Sequence, residues 1–267
     1  MPPIKKIIRD VIDAHQQHHA ANCPVTSGKA RIKAFLHGTS DGGKRVRALD
    51  GEDKEARRQA ILDAAERLFS EHHEMANVAA VAQAAGLAKG TVYLYFQTKE
   101  EIYLALHLRK EGEFFIALID RLYNGEPFFF AELYALTKLQ ILDAAIYMPL
   151  GACCIGFPAN SVPVAAAMQF QTQMTTWLVT AGAGIERHFP RLAPGEGTRL
   201  LKHSYAILIG LYSLRGERNA HDPKCPILPG MGTYQEEASI ALTRYWAQVV
   251  GIPDTSQNTP TTPISKV

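Results

Sequence analysis

Hydrophobic residues recur at three- and four-residue intervals along most of this chain, which is the spacing of one face of a helix. Alternation of apolar and polar residues, the mark of a half-buried strand, is scarce. The pattern predicts an all-α fold. Its helices are expected at 52–71, 79–85, 88–96, 99–123, 127–147, 160–188, 195–215 and 234–250.

The stretch 78–99, VAAVAQAAGLAKGTVYLYFQTK, has the pattern of a helix-turn-helix motif. A short helix of small residues ends at Gly86, because glycine accepts the positive φ of a tight turn. A second helix begins near Ala88, and Val92 and Phe96, four residues apart, are expected to hold it against the core. This arrangement leaves the second helix free to enter a DNA groove.

Polar and small residues on and beside the second helix are the candidate DNA contacts. Its N-terminus carries unpaired backbone N–H groups that favour a phosphate. Asn77 is also expected to cap the first helix of the motif. The candidate set is Asn77, Lys89, Gly90, Thr91, Tyr93, Tyr95 and Lys99.

This motif and the helix before it resemble the DNA-binding domain of the TetR/AcrR family of bacterial regulators. The resemblance covers about 57–106 and includes RRQAILDAAERLFSE, VAAVAQAAGLAKGTVYLYF and the run Lys99, Glu101, Ile102. It implies that Lys89, Thr91, Tyr93, Tyr95 and Lys99 contact DNA, mostly its backbone. The chain departs from the family at the first turn, where His73 and Glu74 replace a glycine and an aromatic residue.

Charge is distributed unevenly over the expected domains. Residues 1–50 hold nine Lys/Arg and four Asp/Glu, a net of +5, whereas 51–99 hold six and seven, a net of −1. The domains are expected at 1–50 (a basic, partly disordered extension), 51–97 (DNA-binding), 98–252 (ligand-binding and dimerisation) and 253–267 (a disordered tail). Asp50 or Asp53 is expected to cap the helix at 52–71.

The basic extension has three interpretations. Lys44, Arg45 and Arg47 have the character of an arm that enters a minor groove. A solvated basic tail explains the same residues. A metal site is the third, since His15, His18, His19 and Cys23 share a helix face. No metal or other cofactor is expected in the working protein.

Enzymatic activity is not expected, because no nucleophile–base pair and no phosphate-binding loop is present. Signal-peptide features and a bilayer-length apolar run are also lacking, which favours the cytoplasm and no membrane partner. The pair Cys153 and Cys154 is open to a redox-sensor interpretation or to one as two small buried hydrophobes.

The body beyond residue 98 is rich in long apolar and aromatic side chains that adapt to an apolar ligand. Such residues at helical spacing also form an ordinary core, so both interpretations stay open. The candidate ligand contacts are Phe115, Met148, Phe157, Phe170, Met174, Trp177 and Tyr205.

Two functions follow from these features. The first is a homodimeric repressor that a mainly hydrophobic small molecule releases from an inverted-repeat operator. Its dimer contact is expected on the helices at 195–215 and 234–250, including the stripe Ala238, Leu242 and Trp246. The helix at 99–123 is expected to carry the ligand signal, as the resemblance implies. The second is a DNA-binding dimer without a small-molecule ligand.

Overall fold

The computed structural model describes residues 43–158, 160–215 and 232–250, with side chains given for 53–158, 160–214 and 232–247. The proposed metal residues His15, His18, His19 and Cys23, and the tail at 253–267, lie outside the described residues. The side chains of Lys44, Arg45 and Arg47 lie outside them as well.

Every regular element in the described residues is helical, as the hydrophobic spacing predicts. In chain order the helices are α1 (Gly43–His72), α2 (Val78–Ala84), α3 (Lys89–Tyr93), α4 (Lys99–Tyr123), α5 (Phe130–Thr137), α6 (Tyr147–Ile155), α7 (Val164–His188), α8 (Glu196–Arg215) and α9 (Tyr234–Val250). A π-helical turn, Lys138–Leu142, continues α5 directly.

Two compact units divide these helices. Unit 1 contains the chain through Gly112 together with Pro149–Thr176, and unit 2 contains Glu113–Met148 and the chain from Trp177 onward. The division falls within α4 and within α7, so each of these helices contributes residues to both units.

The core of unit 1 lies beneath the helix-turn-helix motif. The apolar stripe of α1 is buried at Ile61, Leu62, Ala65 and Phe69. Helix α4 adds Ile102, Tyr103 and Leu106, all fully buried. A helix presents a residue to the same face every three or four positions, and this spacing accounts for all of these buried positions.

In unit 2, α8 and α9 pack against each other. Leu208 of α8 and Ala238, Leu242 and Trp246 of α9 are buried inside the unit. The indole N–H of Trp246 donates to the Ser204 hydroxyl across 2.9 Å. The stripe expected at a dimer contact therefore serves the interior of the single chain.

Three expectations about helix ends are wrong. Helix α1 begins at Gly43, before residue 52, so Asp50 and Asp53 lie inside it and do not cap it. The helix expected at 127–147 is interrupted after the π-helical turn, and α6 begins at Tyr147. Pro149 fits within α6 because the first turn of a helix needs no N–H from that position.

Within the described ranges, no single helix is long and apolar enough to cross a membrane. Only when taken together do the consecutive segments Phe130–Leu142 and Tyr147–Ile155, bent where they join, meet that measure of length and composition.

Candidate nucleic-acid interface

The helix-turn-helix motif is held by local signals in its own sequence. The Asn77 side-chain oxygen accepts a 3.0 Å hydrogen bond from the Ala80 N–H and so caps α2, as predicted. Gly86 has φ of +68°, the left-handed conformation expected for the turn. Val78, Val81 and Ala82 bury the inner face of α2. The motif is therefore formed largely by residues within it.

Helix α3, the recognition helix, is shorter than predicted. It ends at Tyr93 rather than at Phe96. Val92 and Phe96 are 0% and 2% exposed, which confirms that this pair faces the core. The backbone N–H groups of Tyr95 and Phe96 both donate to the Val92 carbonyl across 3.0 Å, so a tight turn continues beyond the helix.

The candidate DNA residues differ in their exposure. Asn77, Lys89, Gly90 and Tyr93 are exposed, whereas Thr91, Tyr95 and Lys99 are half-buried. The Lys89 ammonium lies 5.9 Å from the centre of the Tyr93 ring, so these two side chains share one surface. Lys99 lies 4.0 Å from the Glu100 carboxylate, which reduces its net charge toward a phosphate.

The first turn shows how the chain accommodates its departure from the family pattern. His73 has φ of +52°, the left-handed region that a glycine enters without steric cost. Its N–H donates to the Phe69 carbonyl across 2.7 Å. The imidazole lies edge-on to the Phe69 ring at 6.3 Å. The turn thus keeps a left-handed residue although no glycine is present.

Helix α4 is tied to the motif by polar contacts inside unit 1. The Tyr103 hydroxyl accepts a 2.9 Å hydrogen bond from the Ala76 N–H, just before α2. Arg109 pairs with Asp63 at 2.6 Å and with Glu66 at 2.5 Å, both on α1. Lys110 pairs with Glu66 at 2.7 Å. These ion pairs are only partly exposed, so α1 and the first half of α4 form one supported scaffold.

The start of α4 was predicted correctly from its cap. The Thr98 hydroxyl accepts a 3.1 Å hydrogen bond from the Glu101 N–H. The Glu101 carboxylate accepts one from the Gln97 N–H across 2.6 Å, one residue earlier than in the usual reciprocal box. Together these bonds fix the position at which the chain leaves the motif and enters α4.

The candidate ligand residues fall into both units. Phe157, Phe170 and Met174 belong to unit 1 and are half-buried. In unit 2, Phe115 and Met148 are buried, whereas Trp177 and Tyr205 are half-buried. The Phe115 and Trp177 rings stack at 5.9 Å. Their role toward a ligand stays a prediction.

A buried polar pair in unit 1 was missed by sequence reasoning. His107 and Glu111 are 4% and 2% exposed, and the His107 Nε2 lies 3.4 Å from the Glu111 carboxylate. The Phe170 ring stacks on the imidazole at 5.8 Å. Burial lowers the pKa of His107 to about 4. The signal was the i, i+4 spacing on α4, which is equally common on solvated helix faces.

The pKa of His107 predicts acid-dependent stability. Unfolded imidazole takes up its proton near pH 6.5, whereas the folded one stays neutral until about pH 4, so the unfolded state binds more protons between these values. Stability is therefore lost as the pH falls. We expect the free energy of unfolding to drop by about 2 kcal/mol between about pH 7.5 and about pH 5 through this residue.

Urea denaturation of the wild type and of His107→Asn at both pH values measures this loss. The exposed His72 supplies the matched control variant, His72→Asn, which should keep the wild-type pH dependence. An equal pH dependence in the wild type and in His107→Asn would contradict the assignment.

The paired cysteines do not have the surroundings of a redox sensor. Both are free and half-buried. The Cys154 thiol donates to the Tyr103 carbonyl across 3.7 Å, and burial raises its pKa, which disfavours the reactive thiolate. Among the described side chains, no group of three or more His, Cys, Asp or Glu residues is placed to hold a metal ion.

Residues 61–106 match the family described as "Bacterial regulatory proteins, tetR family". A fatty acid metabolism regulator protein of Bacillus subtilis (strain 168) is 42% identical over 55 residues, which are 20% of this chain and 28% of that protein. The chain thus matches just over a quarter of the length of this relative.

Two solved structures resemble the chain over most of their length. The fatty acid degradation regulator FadR from Bacillus halodurans is 17% identical, with a TM-score of 0.48 over 74% of this chain and 96% of that one. SmeT, the repressor of the Stenotrophomonas maltophilia multidrug efflux pump SmeDEF, is 18% identical, with a TM-score of 0.48 over 78% and 97%. On the match of its residues 61–106, the chain belongs to the tetR family of bacterial regulatory proteins.

Proposed function

We propose that the chain is a homodimeric transcriptional repressor that binds an inverted-repeat operator and is released from it by a mainly hydrophobic small molecule. The observation that carries the proposal is the arrangement of α3. Its inner residues Val92 and Phe96 are buried in the domain core, while Lys89 and Tyr93 are exposed together on its outer side. A helix held in this way can enter a major groove without disturbing the domain.

The candidate contacts suit the DNA backbone more than the bases. Lys89 and Lys99 supply charge for phosphates, and the hydroxyls of Thr91, Tyr93 and Tyr95 supply hydrogen-bond donors. Asn77 already caps α2 through its side-chain oxygen, which leaves its amide N–H groups to donate to a phosphate. These contacts position the motif on DNA without selecting a sequence.

The dimer is proposed on the outer faces of α8 and α9, because their inner faces are occupied within the chain. Ala206 and Leu214 of α8 and Ile240 of α9 remain exposed, at 68% for Leu214 and 46% for Ile240. Pairing of these faces across a two-fold axis would form a four-helix contact. The same axis relates two recognition helices, so the operator is expected to be an inverted repeat.

The effector is proposed to act through α4, which contributes residues to both units. Phe115 lies on this helix, as does the buried pair His107 and Glu111, which would offer a polar group to a ligand that is otherwise apolar. For release, the ligand must prefer the conformation that DNA disfavours. The alternative, a DNA-binding dimer without a ligand, is favoured by the close stacking of Phe115 on Trp177 as ordinary core.

Binding to a random-sequence duplex pool tests the DNA-binding proposal. We expect the wild type to enrich an inverted repeat, and fluorescence anisotropy on that duplex then gives the affinity at fixed salt. Palmitate and decanoate are the first effectors to titrate, because a relative of the DNA-binding segment is named a regulator of fatty acid metabolism.

An effector of this class should lower the affinity for the enriched duplex by roughly 10- to 100-fold. Acetate, which lacks the apolar chain, is the matched control and should have no effect. Enrichment of an inverted repeat with no response to either fatty acid would leave DNA binding established and favour the alternative without this ligand.

A further inference from the structure

Leu94 has the most exposed large hydrophobic side chain in the part of the chain that the structure describes, at 79%. It directly follows α3 and was not among the predicted DNA contacts. An isolated exposed leucine is common on protein surfaces. Leu94 differs because it stands on the one element whose outer side is proposed to meet DNA.

The backbone places Leu94 on the outermost side of the recognition helix. Its φ of −73° and ψ of −18° are helical, so the helical spacing of α3 extends through this residue. At about 100° per residue, Leu94 lies roughly 200° around the axis from the buried Val92. Gly90, four residues earlier, shares its face, and a side chain built there would meet nothing within 4 Å. The outer face is therefore a bare backbone beside one projecting leucine.

The surroundings of Leu94 favour DNA over an apolar protein partner. The exposed residues beside it are Lys89 and Tyr93, which bring a positive charge and a hydroxyl. A single apolar group among hydrogen-bond donors matches the major-groove edge of a base pair that contains thymine. That edge presents one methyl group beside hydrogen-bonding atoms, and phosphates lie at its borders.

We propose that Leu94 contacts the C5-methyl group of a thymine in each half-site and thereby helps to determine the DNA sequence that the protein binds. This inference rests on the proposed DNA-binding function. It supplies a base contact to a set of candidate residues that otherwise suit the phosphate backbone. Apolar contact with this methyl group is one of the ways in which side chains discriminate thymine in the major groove.

Replacement of thymine by uracil provides the test, since it removes the methyl group and leaves every hydrogen-bonding atom in place. In the duplex enriched by the wild type, each thymine is replaced in turn and the affinity is measured at fixed salt. We expect one position in each half-site at which uracil weakens wild-type binding about fourfold, the fold-change that corresponds to one buried methylene-sized group. Leu94→Ala should bind the thymine and uracil duplexes equally at that position.

A matched control is Ile155→Ala, which truncates an aliphatic side chain that is 64% exposed outside the helix-turn-helix motif. This variant should keep the wild-type preference for thymine. Circular dichroism confirms that Leu94→Ala retains its helices, as its exposure leads us to expect. The wild-type measurement needs no variant and tests the methyl contact by itself.

The possible failures are distinguishable. If the wild type enriches no sequence, the proposed DNA-binding function fails and this inference fails with it. If the wild type enriches a repeat but no uracil position weakens binding, only the inference is overturned. It is also overturned if Leu94→Ala keeps the full preference for thymine. A changed oligomeric state of Leu94→Ala without any uracil effect would instead assign the residue to a protein contact.

Discussion

Replacing Gly197 with alanine should destabilise unit 2 by about 3 kcal/mol, the upper part of the range for overpacked interiors. A Cβ atom at this position would lie 2.9 Å from the carbonyl carbon of Gly182 and closer still to its oxygen. Both neighbours are backbone atoms, which cannot rotate away as the end of a side chain can. Relief would therefore require α7 and α8 to move apart.

The surrounding contacts show why such a movement is unfavourable. The Glu186 carboxylate of α7 accepts 2.9 Å hydrogen bonds from the backbone N–H groups of Gly195 and Gly197. The Thr198 hydroxyl donates to the Leu178 carbonyl across 3.4 Å. Separation of the helices would weaken these bonds together, and a buried acceptor without its donor costs about 1–3 kcal/mol.

Chemical denaturation followed by circular dichroism measures this effect. The matched control is Gly156→Ala, because a Cβ atom there would meet only Ala152 and Cys153 carbonyl oxygens at 3.6 Å, an ordinary contact. We expect the control to stay within about 1 kcal/mol of the wild type. Equal midpoints for Gly197→Ala and Gly156→Ala would show that the two helices are not in close contact in solution.

The double substitution Lys89→Ala with Lys99→Ala should weaken DNA binding by about 100-fold at moderate salt, since each lost phosphate contact reduces affinity by roughly tenfold. The dependence of log affinity on log salt should also fall by about 2. Neither lysine supports the core, because Lys89 is exposed and the Lys99 side chain is 43% exposed. The helices should therefore be retained.

The matched control for this variant is Lys138→Ala, an exposed lysine of unit 2 whose charge is already paired with Asp143 at 2.6 Å. Anisotropy titrations at several salt concentrations compare the three proteins on one duplex. Loss of affinity with an unchanged salt slope would mean that the two lysines do not release counterions at phosphates. Equal loss in the control would point to net charge rather than to these positions.

Local signals explain which parts of the fold could be predicted from the sequence. Helix α4 has the predicted bounds because Thr98 and Glu101 mark its start and Asn124-Gly125 its end, where Gly125 has φ of +92°. The motif, the family and the absence of an enzymatic role depend on the contiguous segment 61–106, which needs no knowledge of distant contacts.

Other boundaries failed because the local signals pointed elsewhere. Asp50-Gly51 looks like the end of a loop, yet α1 passes through both residues from Gly43 onward. The interruption between α5 and α6 contains neither glycine nor proline, so the apolar pattern ran across it without a visible break. Helix propensity is a weak guide where tertiary packing decides the outcome.

Candidate-site residues were predictable only as far as each depended on its neighbours in sequence. Asn77 and Val92 follow from capping and helical spacing. The burial of His107 and Glu111 depends on packing against distant parts of unit 1, including Phe170. Leu94 was overlooked because an apolar residue on a helix is normally assigned to the core, and only its exposure separates it from Val92.

The π-helical turn Lys138–Leu142 affects which insertions and deletions this region tolerates. Its i→i+5 bond, from the Asp143 N–H to the Lys138 carbonyl at 2.9 Å, accommodates one residue more than an α-helical turn does. The buried residues Leu133, Thr137 and Ile141 follow at intervals of four, which the wider turn keeps on one face. Deletion of one residue within the turn would restore α-helical spacing but rotate Ile141 away from that face. The reading frame of the buried face, rather than the helix itself, is what such a deletion would disrupt.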